Sequence, residues 1–361
     1  MLALSGALLA GGAWASALIS PSLARHAAPP ARVLAHNDPR PRVRHRLVRR
    51  GPVVLAFGGD VHFEGHLGTR LAADPETALD SLAPLFDGAD LVMVNLETAV
   101  GTSGRPQVKQ YTFRAPPSAF RALRAAHVDL VTMANNHGMD YGATALEESL
   151  QAAAAESVVV VGAGRNAYAA YRPYLVERKH ERIAIFGATQ VLDGELEDSW
   201  TATDTKSGLA SAKHGALSRL LAAVRAARPR ADIVVVYLHW GRELVDCPTT
   251  DQRALMRALV AAGADVIVGS HAHLLLGRGY FGRAFVHYGL GNFAFYANAP
   301  VTRQTGALLV TVRGRDVVAT AWRPAVIYAG VPNAVPEAGR AAAEAAADRL
   351  RACTDLTATP S

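Results

Sequence analysis

The sequence predicts an α/β protein built on a largely parallel sheet that is buried on both faces. Three observations carry this. Short apolar, β-branched runs recur between residues 53 and 288. Stretches of helical length, rich in Ala, Leu and Arg, separate many of them, and strands alternating with helices imply βαβ units. Polar motifs stand at the ends of the runs, where open α/β sheets bind their ligands.

Val53-Val54-Leu55-Ala56-Phe57 opens the series, and Gly58-Gly59 is expected to stop it. Further strands are expected at 91–94, 129–133, 158–161, 183–186, 233–238, 266–268 and 285–288. Helices are expected at 118–126, 143–155, 215–227 and 250–262. Residues 307–312 and 317–322 flank Arg313-Gly314-Arg315-Asp316 and read as an antiparallel hairpin, which points to a mixed second sheet. A terminal helix is expected at 341–350, with a loose tail at 354–361. The polar stretch 190–212 reads as a surface excursion, a mobile loop over the site being the alternative.

Residues 1–24 carry no charge and have the length of a signal peptide or a single span. Export is the simpler reading, with small-residue cleavage patterns at Ala13-Trp14-Ala15 and Ser22-Leu23-Ala24. The basic n-region expected ahead of them is missing, as a start further upstream would explain. An uncleaved anchor is the alternative. Residues 25–50 hold eight arginines against Asp38, whereas the net charge of the whole chain is +6. That Pro- and Arg-rich stretch reads as a solvated tether, or as one that touches anionic lipid or cell-wall polymer. The remainder is close to neutral, which excludes the basic footprint of a nucleic-acid binder. The expected organisation is a signal peptide or membrane anchor at 1–24, a linker at 25–50, one domain at 51–330, and a C-terminal helix and tail at 331–361.

Two cysteines, Cys247 and Cys353, exclude a disulfide scaffold or a thiolate zinc site. They either bridge the C-terminal segment to the loop after His239 or stay unpaired.

The strand-end motifs are Gly59-Asp60-Val61-His62, Asn95-Leu96-Glu97, Asn135-Asn136-His137, His239-Trp240-Gly241 and His271-Ala272-His273. A two-metal hydrolytic site needs a bridging carboxylate and further N and O ligands. Asp60 and Glu97 supply carboxylates, Asn136 an amide oxygen, and His62, His239, His271 and His273 imidazoles. This donor set suits two divalent ions, Mn, Zn or Fe, whereas an all-oxygen calcium site would not use four histidines. At a strand-to-loop turn His271 and His273 can diverge and serve different metals. His137 beside Asn136 is placed as a general acid, with Asp140 orienting its ring. Arg114, with Lys109 and Tyr111, is a candidate for an anionic substrate or plain surface charge. Glu243 after His-Trp-Gly and Asn292 in the Gly-rich turn 288–293 are further candidate substrate contacts.

In this order the motifs, with Tyr288-Gly289-Leu290-Gly291-Asn292-Phe293, resemble the CapA family of capsule synthesis proteins, called PgsA in poly-γ-glutamate systems. That family is placed in the calcineurin-like metallophosphoesterase superfamily. The resemblance covers about residues 53 to 295 and implies a four-layer α/β/β/α sandwich. It implies a first metal on Asp60, His62, Glu97 and His273, and a second on Glu97, Asn136, His239 and His271. Glu97 would bridge and His137 would act as acid. It further implies an extracytoplasmic protein, secreted or anchored to the outer face of the cytoplasmic membrane. Such a protein would act on an anionic cell-surface polymer or its phosphorylated precursor, with membrane synthase subunits as partners. A non-enzymatic metal-bound scaffold for polymer export or anchoring is the alternative. The chain departs from the family pattern at His62, where Met is common, at Ala272 in place of Pro, at Leu276 in place of Gln, and at Gly289 in place of Ser. These departures bear on substrate more than on metal.

Overall fold

The computed structural model describes residues 51–361, so the expected segments at 1–24 and 25–50 lie outside the described residues. The first sheet begins with β1 (Val53–Val61), β2 (Leu91–Leu96), β3 (Leu130–Thr132) and β4 (Val159–Val161), parallel neighbours in that order. The second comprises β5 (Tyr174–Arg178), β6 (Glu181–Thr189), β7 (Ile233–His239), β8 (Val266–Ser270), β9 (Arg278–Phe281) and β10 (Ala284–His287). Its spatial order is β9-β10-β8-β7-β6-β5, parallel except at the two outer strands. The chain then returns to the first sheet. β11 (Asn292–Ala294) lies parallel to the end of β1, and β12 (Gln304–Arg313), β13 (Asp316–Tyr328) and β14 (Val331–Ala334) extend its other side antiparallel.

The period of two in the strands decides which core each side chain enters. Val53, Leu55 and Phe57 of β1 meet Ile233, Val235 and Tyr237 of β7 between the sheets. The alternate residues Val234, Val236 and Leu238 pack outward under α4 (Leu217–Ala227) and α5 (Thr250–Ala262). On the opposite outer face α1 (His66–Ala73), α2 (Ser118–Ala125) and α3 (Gly142–Ala155) cover the first sheet through Leu71, Phe120 and Leu146. Three apolar cores between four layers make the α/β/β/α sandwich. Close to the site the Tyr237 hydroxyl donates to the Gly58 carbonyl at 2.8 Å and ties one sheet to the other.

Three expectations are corrected, and one hairpin is added to them. β1 does not stop at Gly58 but runs on to Val61. The glycines serve close approach instead, since a Cβ on Gly59 would lie 1.9 Å from the Gly291 carbonyl oxygen and one on Gly58 would lie 2.7 Å from the Phe293 ring. The late hairpin joins the first sheet, pairing Val53 with Val312, and not the second. The apolar pattern that marks a strand does not say which sheet receives it. The hairpin of β5 and β6 goes unread in the sequence because its turn residues, Lys179 and His180, adopt positive φ without the usual Asn-Gly.

The third correction is the C-terminus, which is docked and not loose. After α6 (Glu337–Arg349), Asp355 accepts hydrogen bonds from Arg253, Arg257 and Tyr288, and Thr357 pairs with Tyr280 through the backbone. Cys247 and Cys353 are joined, which settles the open alternative in favour of one bridge across 106 residues. Loop-closure entropy for such a span makes the bridge worth about 3 kcal/mol or more. Reduction, or the Cys247→Ser/Cys353→Ser pair, is therefore expected to lower the melting temperature by roughly 10 °C. Differential scanning calorimetry with and without reductant checks this, and an unchanged transition would show the C-terminal segment to be held by its hydrogen bonds and not by the bridge.

Residues 190–212 form an anchored excursion. A short helix, Glu197–Trp200, buries Trp200, and Gly208–Leu209 pairs with Ala163–Gly164. Among the described residues no helix is long and apolar enough to cross a membrane.

Candidate metal centre

β1, β2, β7 and β8 all point their carboxyl ends to one edge, and their terminal side chains converge there. Asp60 lies opposite Asn95 in the parallel register of β1 and β2. Its Oδ1 accepts from Asn95 Nδ2 at 2.8 Å and its Oδ2 from the His271 amide at 3.2 Å. Glu97 follows β2, fully buried, and neither carboxylate oxygen has a hydrogen-bond partner. A buried acceptor without a donor is costly, so this geometry asks for a cation. Burial, with Asp60 beside it, pushes the Glu97 carboxyl up to about 8.

Glu97 belongs to two groups whose ligand atoms lie within 4.8 Å of one another. One is Glu97, His239 and His271; the other is Asp60, Glu97 and His273. His239 Nε2 stands 2.7 Å from Asn136 Oδ1 and 3.4 Å from Glu97 Oε1, so Asn136 joins the first group. The ring's Nδ1 lies 3.2 Å from Ser270 Oγ. Asn95 Nδ2 also lies 3.2 Å from this Nδ1 and can only donate, so Nδ1 accepts and Nε2 gives its proton to Asn136 Oδ1; a metal on Nε2 would take that proton's place beside the two oxygens. Burial lowers His239 to about 3 and holds His271 well below the ordinary imidazole range, so both stay in the neutral form that ligates. His273 behaves oppositely: burial pulls it down, but Glu97 and Asp60, with the hydrogen bond to Asn292, raise it overall. Its ring offers the carboxylates a proton where a metal would offer charge. The donor set therefore fits divalent cations.

His271 and His273 follow β8 on residues with φ of 98° and 55°, a left-handed turn that non-glycine residues seldom adopt. That turn separates the rings to 6.0 Å and assigns them to different groups. His62 is not brought into either group. Its Nε2 accepts the Tyr296 amide at 3.0 Å, its ring stacks on Phe295, and burial lowers it to about 3.

His137 and Asp140 are brought together as a pair. His137 Nδ1 meets Asp140 Oδ2 at 2.6 Å, and the ring stacks on Phe113 at 4.0 Å. The Phe113 amide donates to the same Asp140 oxygen at 2.6 Å. Lys109, expected at the surface or on substrate, tucks its side chain in and pairs with Asp140 Oδ1 at 3.0 Å and Asp193 at 3.5 Å.

Two of the expected substrate contacts have partners within the protein. The Arg114 guanidinium is spent on the carbonyls of Thr102 and Ser103 and on the Tyr141 ring, which closes a loop. Asn292 is buried, donating to the Thr302 carbonyl and holding His273 Nδ1 at 2.8 Å, so it positions a ligand. Glu243 stays exposed on the rim, with its charge felt at Glu97, His239 and His273.

The sequence reading assigned no role to Asn95 and Asn135. Asn95 holds Asp60 with its amide while Asn135 Nδ2 donates to Asn95 Oδ1, and Asn135 Oδ1 takes the His137 amide. Their signal was their place in the two Asn-containing motifs, one residue short of the ligand in Asn135-Asn136 and two short in Asn95-Leu96-Glu97.

A two-sheet sandwich with buried carboxylates and imidazoles at one strand-end edge defines an α/β/β/α protein with a candidate metal centre. The chain belongs to the bacterial capsule synthesis protein family PGA_cap, whose model matches residues 54–297. It is 28% identical over 261 residues to the capsule biosynthesis protein CapA of Bacillus anthracis, covering 71% of this chain and 63% of that one. To the PGA biosynthesis protein CapA of Bacillus subtilis it is 31% identical, covering 59% and 55%. The chain thus spans between 55% and 63% of the length of these two relatives. Among solved structures it is similar to a novel phosphatase from Mycoplasma pneumoniae, with a TM-score of 0.48 and 15% identity over 77% of this chain and 95% of that one. It is also similar to the 5'-nucleotidase of Candida albicans, with a TM-score of 0.41 and 9% identity over 82% and 57%. The layers described above stand on the strands themselves and not on these likenesses.

Proposed function

We propose that the protein is an extracytoplasmic metal-dependent hydrolase of capsule or poly-γ-glutamate formation. Its substrate would be an anionic cell-surface polymer or a phosphorylated precursor, and membrane synthase subunits would be its partners. The observation that carries the reading is Glu97, buried, without a hydrogen-bond partner and common to both ligand groups. The names of the relatives supply the pathway, and the Cys247–Cys353 bridge agrees with an oxidising compartment outside the cytoplasm.

Asp60, Glu97 and His273 would hold one divalent ion, and Glu97, Asn136, His239 and His271 a second. When bound, they would supply Lewis acidity and an acidified water. The rest of the chemistry falls to the chain. Asp140 orients the His137 ring through Nδ1, and Lys109 holds Asp140 in place by pairing with its other oxygen. His137 Nε2 is then the ring atom left to carry a proton to a leaving oxygen. Asn95 and Asn292 hold Asp60 and His273 in place.

The test is turnover of phosphoesters and γ-glutamyl amides by the purified chain loaded with Mn, Zn or Fe. His137→Ala is expected to keep its metal and lose about 10²-fold or more in kcat, the usual worth of a general acid. No turnover of either bond class in any metal form would overturn the hydrolase. A His137→Ala variant as active as its parent would remove the acid from that role.

A further inference from the structure

A groove of about 830 Å³ lies away from the metal centre, on the flank where both sheets end. β4 closes the first sheet and β5 closes the second, so the groove is lined by two edge strands, each paired on one side only. Such edges present backbone amides and carbonyls that another extended chain can join. The third wall is α4, whose alanines, Ala222 among them, leave the space open.

The charge along this groove is one-sided. Arg219 is neutralised by Asp204, through contacts of 2.7 and 3.3 Å. Arg172 and Arg230 line the same groove, are exposed, and have no acidic partner among the described residues. Tyr168, 77% exposed, adds an aromatic surface beside them. Strand edges select an amide backbone, and unpaired guanidinium groups select carboxylates.

We propose that this groove binds an extended acidic polyamide, with its backbone along an edge strand and its carboxylates against Arg172 and Arg230. The inference deepens the reading above by giving the polymer a second contact. It is tested by binding and not by turnover, so either can fail alone.

The experiment is fluorescence anisotropy of a fluorescein-labelled oligoglutamate titrated with the full chain, with oligoglutamine and dextran sulfate as competitors. Saturable binding is expected, weakened by salt and displaced by unlabelled oligoglutamate but not by oligoglutamine, which keeps the amide backbone and lacks the charge. Arg172→Glu/Arg230→Glu is expected to weaken it about tenfold or more by reversing the charge complementarity. Ala222→Trp, which fills the groove and keeps both arginines, should weaken it as well. Both variants are at exposed positions and should retain the parental metal content and melting temperature. Unchanged affinity in both variants would overturn the proposal. So would dextran sulfate competing as well as oligoglutamate, because the amide backbone would then be irrelevant. Binding lost in His239→Ala but kept in Arg172→Glu/Arg230→Glu would move the contact to the metal centre.

Discussion

Glu97→Gln is expected to release both metal ions in one step and to cut turnover at least about 10³-fold, while leaving the metal-free fold at least as stable as before. The reasoning turns on what Glu97 is without metal. Burial and Asp60 raise it to about 8, so near neutral pH the metal-free side chain is an uncharged acid. Glutamine has the same shape and the same charge as that acid, so the empty site is little disturbed. The holo site is a different matter. Glu97 is the one residue common to both ligand groups, and an amide offers neither the charge nor the second coordinating oxygen. Metal analysis per chain, with melting of the metal-free variant, checks this. Asp60→Asn provides the contrast, because Asp60 belongs to one group only and should cost one equivalent first. A Glu97→Gln protein that keeps one tightly bound ion would show that Glu97 does not bridge.

How much of this was legible in the sequence depends on range. Strand-end residues were readable because a continuous apolar run ends where its polar residues begin, as at Leu238-His239 and Gly269-Ser270. Pairing between distant segments was not. Nothing local to Lys109 announces Asp140, and nothing local to Arg114 announces the carbonyls at 102 and 103 that absorb its charge. Charged residues near a site read alike whether they face substrate or hold a loop. Asn292 shows the same limit, since an amide beside glycines suggests a ligand contact until both its ends are seen to be used. The glycines before Asp60 carried the opposite error. A local rule reads Gly58-Gly59 as a stop, whereas the neighbour that requires them, Gly291, is more than two hundred residues away.

The same site sets the pH dependence of the metal-free protein, with a maximum expected near pH 6.5. His62 and His239 are lowered from 6.5 to about 3. Below 6.5 the unfolded chain protonates these rings and the folded chain does not, so their stability is present above 6.5 and is lost as pH falls toward 3. Glu97 is raised from 4.5 to about 8, so its contribution is present below 4.5 and is lost as pH rises toward 8. Each one-proton difference is worth roughly 1.4 kcal/mol per pH unit. Between 4.5 and 6.5 two histidines outweigh one carboxyl and stability climbs with pH. Above 6.5 the histidine slope ends and Glu97 acts alone among these three, with the raised His273 adding in the same sense, so stability falls. Metal reverses the upper limb, because it displaces the Glu97 proton and binds more tightly as pH rises. Melting in chelator from about pH 5 to about pH 9 is expected to trace this peak, and Mn should raise the alkaline side most. Glu97→Gln removes the carboxyl that titrates, so its metal-free upper limb should flatten to the smaller slope left by His273. An equal alkaline decline in that variant would mean that another group carries it and that Glu97 is ionised in the empty site.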